Sequence, residues 1–137
     1  MPNIETFLPH GYDDQKKVAL INGLTRATVE SVGAPLSSVR VWISEVGARD
    51  FGLGGEICTR AEAGIIVQAF LIAGRSDAQK ATLIRAMTDA AVTTLSISRD
   101  NVRVIIRDIF NGDFGIGGDT AAVLGRGIGR PSDNNKA

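Results

Sequence analysis

The spacing of apolar residues predicts two strand–helix–strand units in succession. Residues 2–9 and 65–73 are rich in β-branched and aromatic side chains and end beside glycine, which is typical of strands. Behind each of them, apolar residues recur at three- and four-residue steps, which predicts two amphipathic helices of about five turns. These positions are Val18, Ile21, Thr25, Thr28 and Val32, then Ile84, Met87, Ala91 and Leu95. Strand patterns return over residues 39–46 and 102–109.

Both predicted helices have start signals in the sequence. Ser76 and Gln79 fit a capping box, in which the serine accepts from the N3 amide and the glutamine reaches back to the cap. Asp13 or Asp14 can cap the first helix.

The two units are copies of one another. An offset of 63 positions aligns Phe51-Gly52-Leu53-Gly54-Gly55-Glu56 with Phe114-Gly115-Ile116-Gly117-Gly118-Asp119, and residues 39–43 with 102–106, without a gap. A match of this extent indicates tandem duplication of a unit of roughly 60 residues. We predict one domain over residues 1–137, with repeats at 2–56 and 65–119. From residue 125 the chain has too little apolar surface to fold alone, so we expect a flexible tail over 125–137.

The order of elements predicts an α+β fold. Two strands joined by a helix of this length should be parallel, with a right-handed crossover. Two such units side by side give a four-stranded mixed sheet with both helices on one face. The other face has no element to cover it, so we expect oligomerisation through it.

Composition narrows the class of protein. Hydrophobic residues make up 44% and charged residues 22%, as in ordinary soluble domains. Fifteen basic and 15 acidic side chains leave no net positive field for nucleic acid or an anionic membrane. The chain has one cysteine, Cys58, and no apolar run near the ~18 residues of a membrane span. Its first residues include an acid and lack the basic start of a signal peptide. Together these features predict a cytoplasmic protein.

Most conventional catalytic signatures are missing. His10 and Cys58 are the only residues of their kinds, so neither a His/Cys metal site nor a Ser-His-Asp triad is supported. The glycine-rich segments fit neither a phosphate-binding loop nor a dinucleotide fingerprint, and we expect no cofactor and no metal. Pro2 follows the initiator Met, which is normally trimmed before a small residue. Its nitrogen would then be a secondary amine that can take a proton, although Pro at this position is common and decides nothing alone.

Short motifs in both units resemble the 4-oxalocrotonate tautomerase family. In the second unit they are Gly74-Arg75-Ser76-Asp77-Ala78-Gln79-Lys80, Val102-Arg103-Val104-Ile105-Ile106 and Phe114-Gly115-Ile116-Gly117-Gly118. In the first they are Pro2, Ala34-Pro35-Leu36, Ser38-Val39-Arg40-Val41 and Phe51-Gly52-Leu53-Gly54-Gly55. The resemblance implies a fused, two-unit member with the tautomerase (MIF-like) fold.

The functional positions of that family carry over unevenly. The amino-terminal proline falls on Pro2 in one unit and Ile65 in the other, and the arginine after the first strand falls on Arg75 and Tyr12. The strand arginine is kept twice, as Arg40 and Arg103, and so is the pocket phenylalanine, as Phe51 and Phe114. The family's geometry implies that Pro2 is served by Arg75 and Phe114 of its own chain. Ile65 would then face Tyr12 in a dead or repurposed pocket, where Tyr12 is either a surface residue or alters binding.

The resemblance implies an enol–keto tautomerase acting on 2-hydroxymuconate-like dienol acids from aromatic degradation. Pro2 would be the general base, and Arg75 would grip a distal carboxylate. Either Arg40 or Arg103 would arrive from a neighbouring chain of a homotrimer to hold the 2-oxo end. Spacing alone favours interface ion pairing for both strand arginines, and the family position favours a site role for at least one of them.

Two other functions remain open from the sequence. One is a 3-haloacrylate dehalogenase or hydratase of the same superfamily, although no acid that would activate its water is evident. The other is a non-catalytic oligomer subunit or binding protein, favoured if Met1 stays on, because the nitrogen of Pro2 would then be an amide.

Overall fold

Two β-α-β units build one central sheet. The computed structural model describes residues 2–131. Its strands are β1 (Asn3–Pro9), β2 (Arg40–Val46), β3 (Gly52–Leu53), β4 (Glu56–Ile57), β5 (Ile65–Ile72), β6 (Val102–Ile109), β7 (Gly115–Ile116) and β8 (Asp119–Thr120). Its helices are α1 (Asp14–Val32), α2 (Arg60–Ala63) and α3 (Asp77–Leu95). Single 3-10 turns lie at Leu36–Ser38, Arg99–Asn101 and Asn111–Asp113.

The central sheet has the order β2-β1-β5-β6. β1 pairs with β2 and β5 pairs with β6 in parallel, as the helical crossovers require, and β1 pairs with β5 in the antiparallel sense. The two units therefore meet at the centre of the sheet in opposite directions. The predicted four-stranded mixed sheet and α+β class are confirmed.

Local signals set the ends of the long helices. Asp13, rather than Asp14, is the N-cap of α1 and accepts from the amide of Lys16 at 2.8 Å. Ser76 and Gln79 form the predicted capping box at the start of α3. Both helices are 19 residues long, which agrees with the five turns expected from the sequence.

The core lies between the sheet and the two long helices. Alternate residues of β1 and β5 point into it, and Ile4, Leu8, Ile65 and Val67 are fully buried. α1 and α3 approach closely where a Cβ on Gly23 would lie 3.2 Å from Cβ of Ala90. This shared core makes the two repeats a single packed body.

Residues of the other alternation form the open face of the sheet. Trp42 on β2 is 41% exposed and Ile105 on β6 is 44% exposed. Nε1 of Trp42 donates to Oε2 of Glu5 at 3.3 Å, and Nε of Arg107 donates to Oε1 of Gln68 at 3.0 Å. This face combines apolar area with paired polar groups.

An ion pair repeats at the same place in both units. Lys17 of α1 bonds Glu45 near the end of β2, and Lys80 of α3 bonds Asp108 near the end of β6. The hydrogen bond from Lys17, helped by one from His10, holds the pKa of Glu45 below its ordinary value. Each pair ties a crossover helix to the strand that follows it.

The chain after β8 makes more contacts than its composition suggests. The amide of Ile128 donates to the carbonyl of Ala73, and the amide of Asn111 donates to the carbonyl of Ile128, both at 3.0 Å. Backbone hydrogen bonds therefore join residues 125, 126 and 128 of the predicted tail to the fold, and the flexibility of the tail stays a prediction. The remainder of the predicted tail, 132–137, lies outside the described residues.

The connection between the repeats holds the short helix α2, which the sequence did not predict. Thr59 and Glu62 form its capping box. Within residues 2–131 no helix has the length and apolarity needed to cross a membrane.

Candidate active site

Pro2 lies at one end of the sheet, directly before β1. It is buried, and its carbonyl accepts a hydrogen bond from the amide of Arg40 at 3.1 Å. The parallel register sets Asn3 opposite Arg40. Beside them lies a cavity of about 210 Å³, which we call the Phe114 cavity; it is lined by Asn3, Ser38, Arg40, Phe114, Gly115, Ile116 and Gly117. Pro2 thus lies next to Asn3 and Arg40, and both of these line the cavity together with Phe114.

The β7–β8 hairpin carries Phe114 to this end. Its turn residues Gly117 and Gly118 have φ values of 61° and 94°, and the favoured two-residue hairpin turn needs positive φ at both positions. The amide of Ala121 donates to the carbonyl of Phe114 at 2.8 Å and closes the hairpin, with Ala121 fully buried. The glycine-rich motif is therefore a hairpin, which holds an aromatic wall in place.

Arg75 lines a second, adjoining cavity. This Arg75 cavity has a volume of about 390 Å³ and is lined by Pro35, Ser37, Ser38, Ile72, Arg75, Arg126 and Gly127. Ser38 is a wall of both cavities. Because Asn3 pairs with Phe70 in the antiparallel register, the chain leaving β5 after Ile72 emerges at the end where β1 begins. Arg75 therefore lies at the same end of the sheet as Pro2.

The opposite end of the sheet carries the duplicate of this arrangement. A cavity of about 230 Å³, the Phe51 cavity, is lined by Phe51, Gly52, Leu53, Cys58, Glu62, Ala63, Ile66, Asn101 and Arg103. Under the repeat offset, Phe51 stands for Phe114 and Arg103 for Arg40. Ile65, which stands for Pro2, is fully buried.

Tyr12, the counterpart of Arg75, is part of the core. It is only 7% exposed, and the guanidinium carbon of Arg60 lies 4.1 Å from the centre of its ring. Nη1 of Arg60 also donates to the carbonyl of Gly11 at 3.2 Å. The alternative that Tyr12 is a surface residue is wrong, because α2 brings Arg60 over the ring. Tyr12 is not among the residues that line the Phe51 cavity.

Both strand arginines are exposed, and they belong to opposite ends of the sheet. Nη1 of Arg103 donates to the carbonyl of Asp100 at 2.5 Å. Neither Arg40 nor Arg103 forms a salt bridge with a carboxylate within residues 2–131. Inside one chain, Arg40 is thus the strand arginine beside Pro2.

Sequence reasoning missed Arg126 and Gly127 as walls of the Arg75 cavity, since it assigned both to a tail. The only local signal was an arginine between two glycines. Over the same described range, no group of three or more His, Cys, Asp or Glu side chains is arranged to hold a metal ion.

Comparison with known proteins matches both repeats to one family. A family model described as "Tautomerase enzyme" matches residues 2–61 and again 65–123. The chain belongs to the tautomerase family. It is a fused, two-unit member, and enzymes of this kind are isomerases.

Some relatives of this tautomerase match one of its repeats, and others match nearly its whole length. A 2-hydroxymuconate tautomerase of Pseudomonas putida is 44% identical over 61 residues, which are 44% of this chain and 97% of that one. A solved structure of a fused 4-OT, described as an asymmetric trimer, is 47% identical with a TM-score of 0.86, over 90% of this chain and 99% of that one. A member of the cis-3-chloroacrylic acid dehalogenase family is 20% identical with a TM-score of 0.79, over 86% of this chain and 82% of that one, and shares the fold.

Proposed function

We propose that this tautomerase converts 2-hydroxymuconate-like dienol dicarboxylates to their keto forms, with the nitrogen of Pro2 as general base. The observation that carries the proposal is the asymmetry of the two ends of the sheet. Buried Pro2 is bonded to Arg40, which lines a cavity together with Phe114, whereas the equivalent end has Ile65 and a core tyrosine, Tyr12. The Pseudomonas putida relative, named for 2-hydroxymuconate, supports the substrate class.

The base requires removal of Met1, which converts the nitrogen of Pro2 from an amide to a secondary amine. An exposed amine of this kind would be protonated near neutral pH. Burial beside the ring of Phe114 and the positive charge of Arg40 both disfavour the ammonium form. The free amine takes the proton of the 2-hydroxyl group and returns a proton to a carbon of the conjugated chain, so that atoms and charge balance.

The arginines divide the work of binding the substrate. Arg75 binds the carboxylate distant from the enol with its planar fork. Arg40 of the same chain, or Arg103 of a neighbouring one, binds the 2-oxo and carboxylate end and stabilises negative charge on the developing enolate oxygen. Phe114 excludes water from the reacting atoms.

The assembly proposed for this chain is a homotrimer formed through the open face of the sheet. Trp42 and Ile105 expose apolar surface there, and the fused 4-OT relative is described as a trimer. Three chains would carry three sites that contain Pro2, and the Phe51 cavities would contain no catalytic base. Light scattering should give three times the chain mass, and a monomer would exclude any contribution of Arg103 to the Pro2 site.

The deciding experiment follows the ketonisation of 2-hydroxymuconate by ultraviolet absorbance, with protein whose intact mass shows that Met1 is absent. Pro2→Ala is the matched variant, because alanine also permits trimming and leaves a primary amine in place of the secondary one. We expect turnover to fall by about 100-fold in Pro2→Ala, because the primary amine is no longer held by a ring in the direction of the substrate. Equal rates for the two proteins would refute the role of Pro2.

The other functions are outcomes of the same experiment. Absence of turnover in trimmed protein leads next to 3-haloacrylates, whose hydration releases halide. An intact mass that retains Met1 supports a non-catalytic subunit, because an amide nitrogen has no basic lone pair.

A further inference from the structure

Residues beyond the family match form a wall of the candidate active site. The second match to the tautomerase model ends at residue 123. The segment that follows returns to the fold at Ile128, which bonds to both Ala73 and Asn111. Arg126 and Gly127 line the Arg75 cavity as a result. This wall lies outside the region that the family model describes.

Two arginines, Arg75 and Arg126, line the Arg75 cavity, and none of its described lining residues is acidic. Its remaining walls are Pro35, Ser37, Ser38, Ile72 and Gly127. Neither Arg75 nor Arg126 forms a salt bridge in the part of the chain that the structure describes. Two cations that share a cavity repel one another, and an anion between them removes that repulsion. Ligand sites measure about 300–1,000 Å³, and the volume of about 390 Å³ falls in that range.

Gly127 makes this placement of Arg126 possible. A Cβ at Gly127 would lie 1.9 Å from Cγ2 of Ile72, and φ of Gly127 is +71°. Only glycine fits such a position without moving the backbone. The neighbouring amide of Arg126 donates to the carbonyl of Ala121 at 2.8 Å, which fixes where its side chain begins.

We infer that Arg126 binds the substrate together with Arg75, so that the site takes a carboxylate distant from the enol and selects dicarboxylates over monocarboxylates. The inference rests on the proposed function for the identity of the reacting end. Arg75 supplies one planar fork and Arg126 a second, from a different segment of the chain, and two forks suit the four lone-pair positions of one carboxylate. The Phe114 cavity, on the other side of Ser38, takes the enol end.

The test compares Arg126→Ala with the protein itself on two substrates, 2-hydroxymuconate and the monocarboxylate 2-hydroxypenta-2,4-dienoate. We expect KM for 2-hydroxymuconate to rise about tenfold, the size of effect for one charge-assisted hydrogen bond. The KM for the monocarboxylate and both kcat values should stay within about twofold, because the lost contact is to a group that does not react. Arg126→Lys keeps the charge without the fork and should give an intermediate KM.

The matched control is Arg85→Ala, which removes the same charge from an exposed position of α3 that lines none of the three cavities. It should leave every constant unchanged. An unchanged KM for 2-hydroxymuconate in Arg126→Ala, or an equal rise for both substrates, would overturn the inference.

A binding measurement separates this inference from the proposed function. Titration calorimetry with adipate, an unreactive six-carbon dicarboxylate, and with hexanoate needs no turnover. Adipate should bind Arg126→Ala about tenfold more weakly than the unmodified chain, and hexanoate should show no such difference. If 2-hydroxymuconate is not turned over but this difference is seen, the proposed function fails and Arg126 keeps its role. Equal adipate affinities would refute the role of Arg126 whatever the activity.

Discussion

Thr6 and Thr28 are two threonines of the core that differ in one hydrogen bond, so their hydroxyl groups should contribute differently to stability. Both residues are fully buried. The hydroxyl of Thr28 donates to the carbonyl of Leu24 at 2.8 Å, one turn earlier in α1. The hydroxyl of Thr6, on the helix-facing side of β1, has no hydrogen-bond partner among residues 2–131. Ala69 holds the equivalent place in β5, so this position of the fold does not require a hydroxyl.

Valine has nearly the shape of threonine and replaces the hydroxyl by a methyl group. Burying a hydroxyl without a partner costs about 1–3 kcal/mol, so removing it from Thr6 should raise the free energy of unfolding by about 1 kcal/mol. Thr28→Val loses a satisfied hydrogen bond and should lower the free energy of unfolding by about 1 kcal/mol. Helix propensities of the two residue types are close, so they do not alter the sign. The two variants should therefore differ by about 2 kcal/mol.

Urea unfolding followed by circular dichroism measures both changes. All samples need the same protein concentration, because association shifts apparent stability by mass action. A change in the midpoint without a change in slope shows that stability itself has changed. If Thr6→Val is destabilised as much as Thr28→Val, the hydroxyl of Thr6 has a partner in solution and the reasoning is wrong.

Two further changes test the site and the repeated ion pair. Arg75→Ala should lower kcat/KM for 2-hydroxymuconate by about 10- to 100-fold through lost charge-assisted hydrogen bonds, whereas Tyr12→Phe, which keeps the ring that packs against Arg60, should leave steady-state rates unchanged. Equal losses would mean that the two halves are paired wrongly around Pro2. The hydrogen bond from Lys17 lowers the pKa of Glu45 from its ordinary value of 4.5, so its contribution to stability is present above pH 4.5 and is lost as pH falls through the lower folded-state value. Glu45→Gln should remove that part of the acid dependence of thermal unfolding, and an unaltered acid profile would show that the pair contributes nothing.

The fold could be predicted from the sequence because its signals are local and occur twice. The three- and four-residue spacing of apolar positions and the capping box of Ser76 and Gln79 are patterns within short segments. The duplication repeats the same pattern of strands and helix in the second unit. The family resemblance, together with the repeat, implied that Arg75 serves Pro2. β1 and β5 run antiparallel, so Arg75 lies at the end of the sheet that holds Pro2, and its role there stays a prediction.

What the sequence could not predict depends on contacts between distant segments. The course of the chain at Arg126 is set by hydrogen bonds between Ile128 and both Ala73 and Asn111. These partners are distant in the sequence, so the composition of the segment does not reveal them. Tyr12 is buried because Arg60, 48 positions later in the chain, stacks on it. α2 spans four residues, too few for a periodic pattern to appear.

The antiparallel contact between β1 and β5 has a consequence for how this protein can change over time. In an assembly of identical short chains, every substitution enters both ends of the sheet at once. Here the two ends are encoded separately and held at fixed one-to-one stoichiometry at any concentration, because one polypeptide carries both. Ile65 and Tyr12 can therefore differ from Pro2 and Arg75, because each repeat contributes one residue to each end of the sheet and a change at one end leaves the other end unaltered.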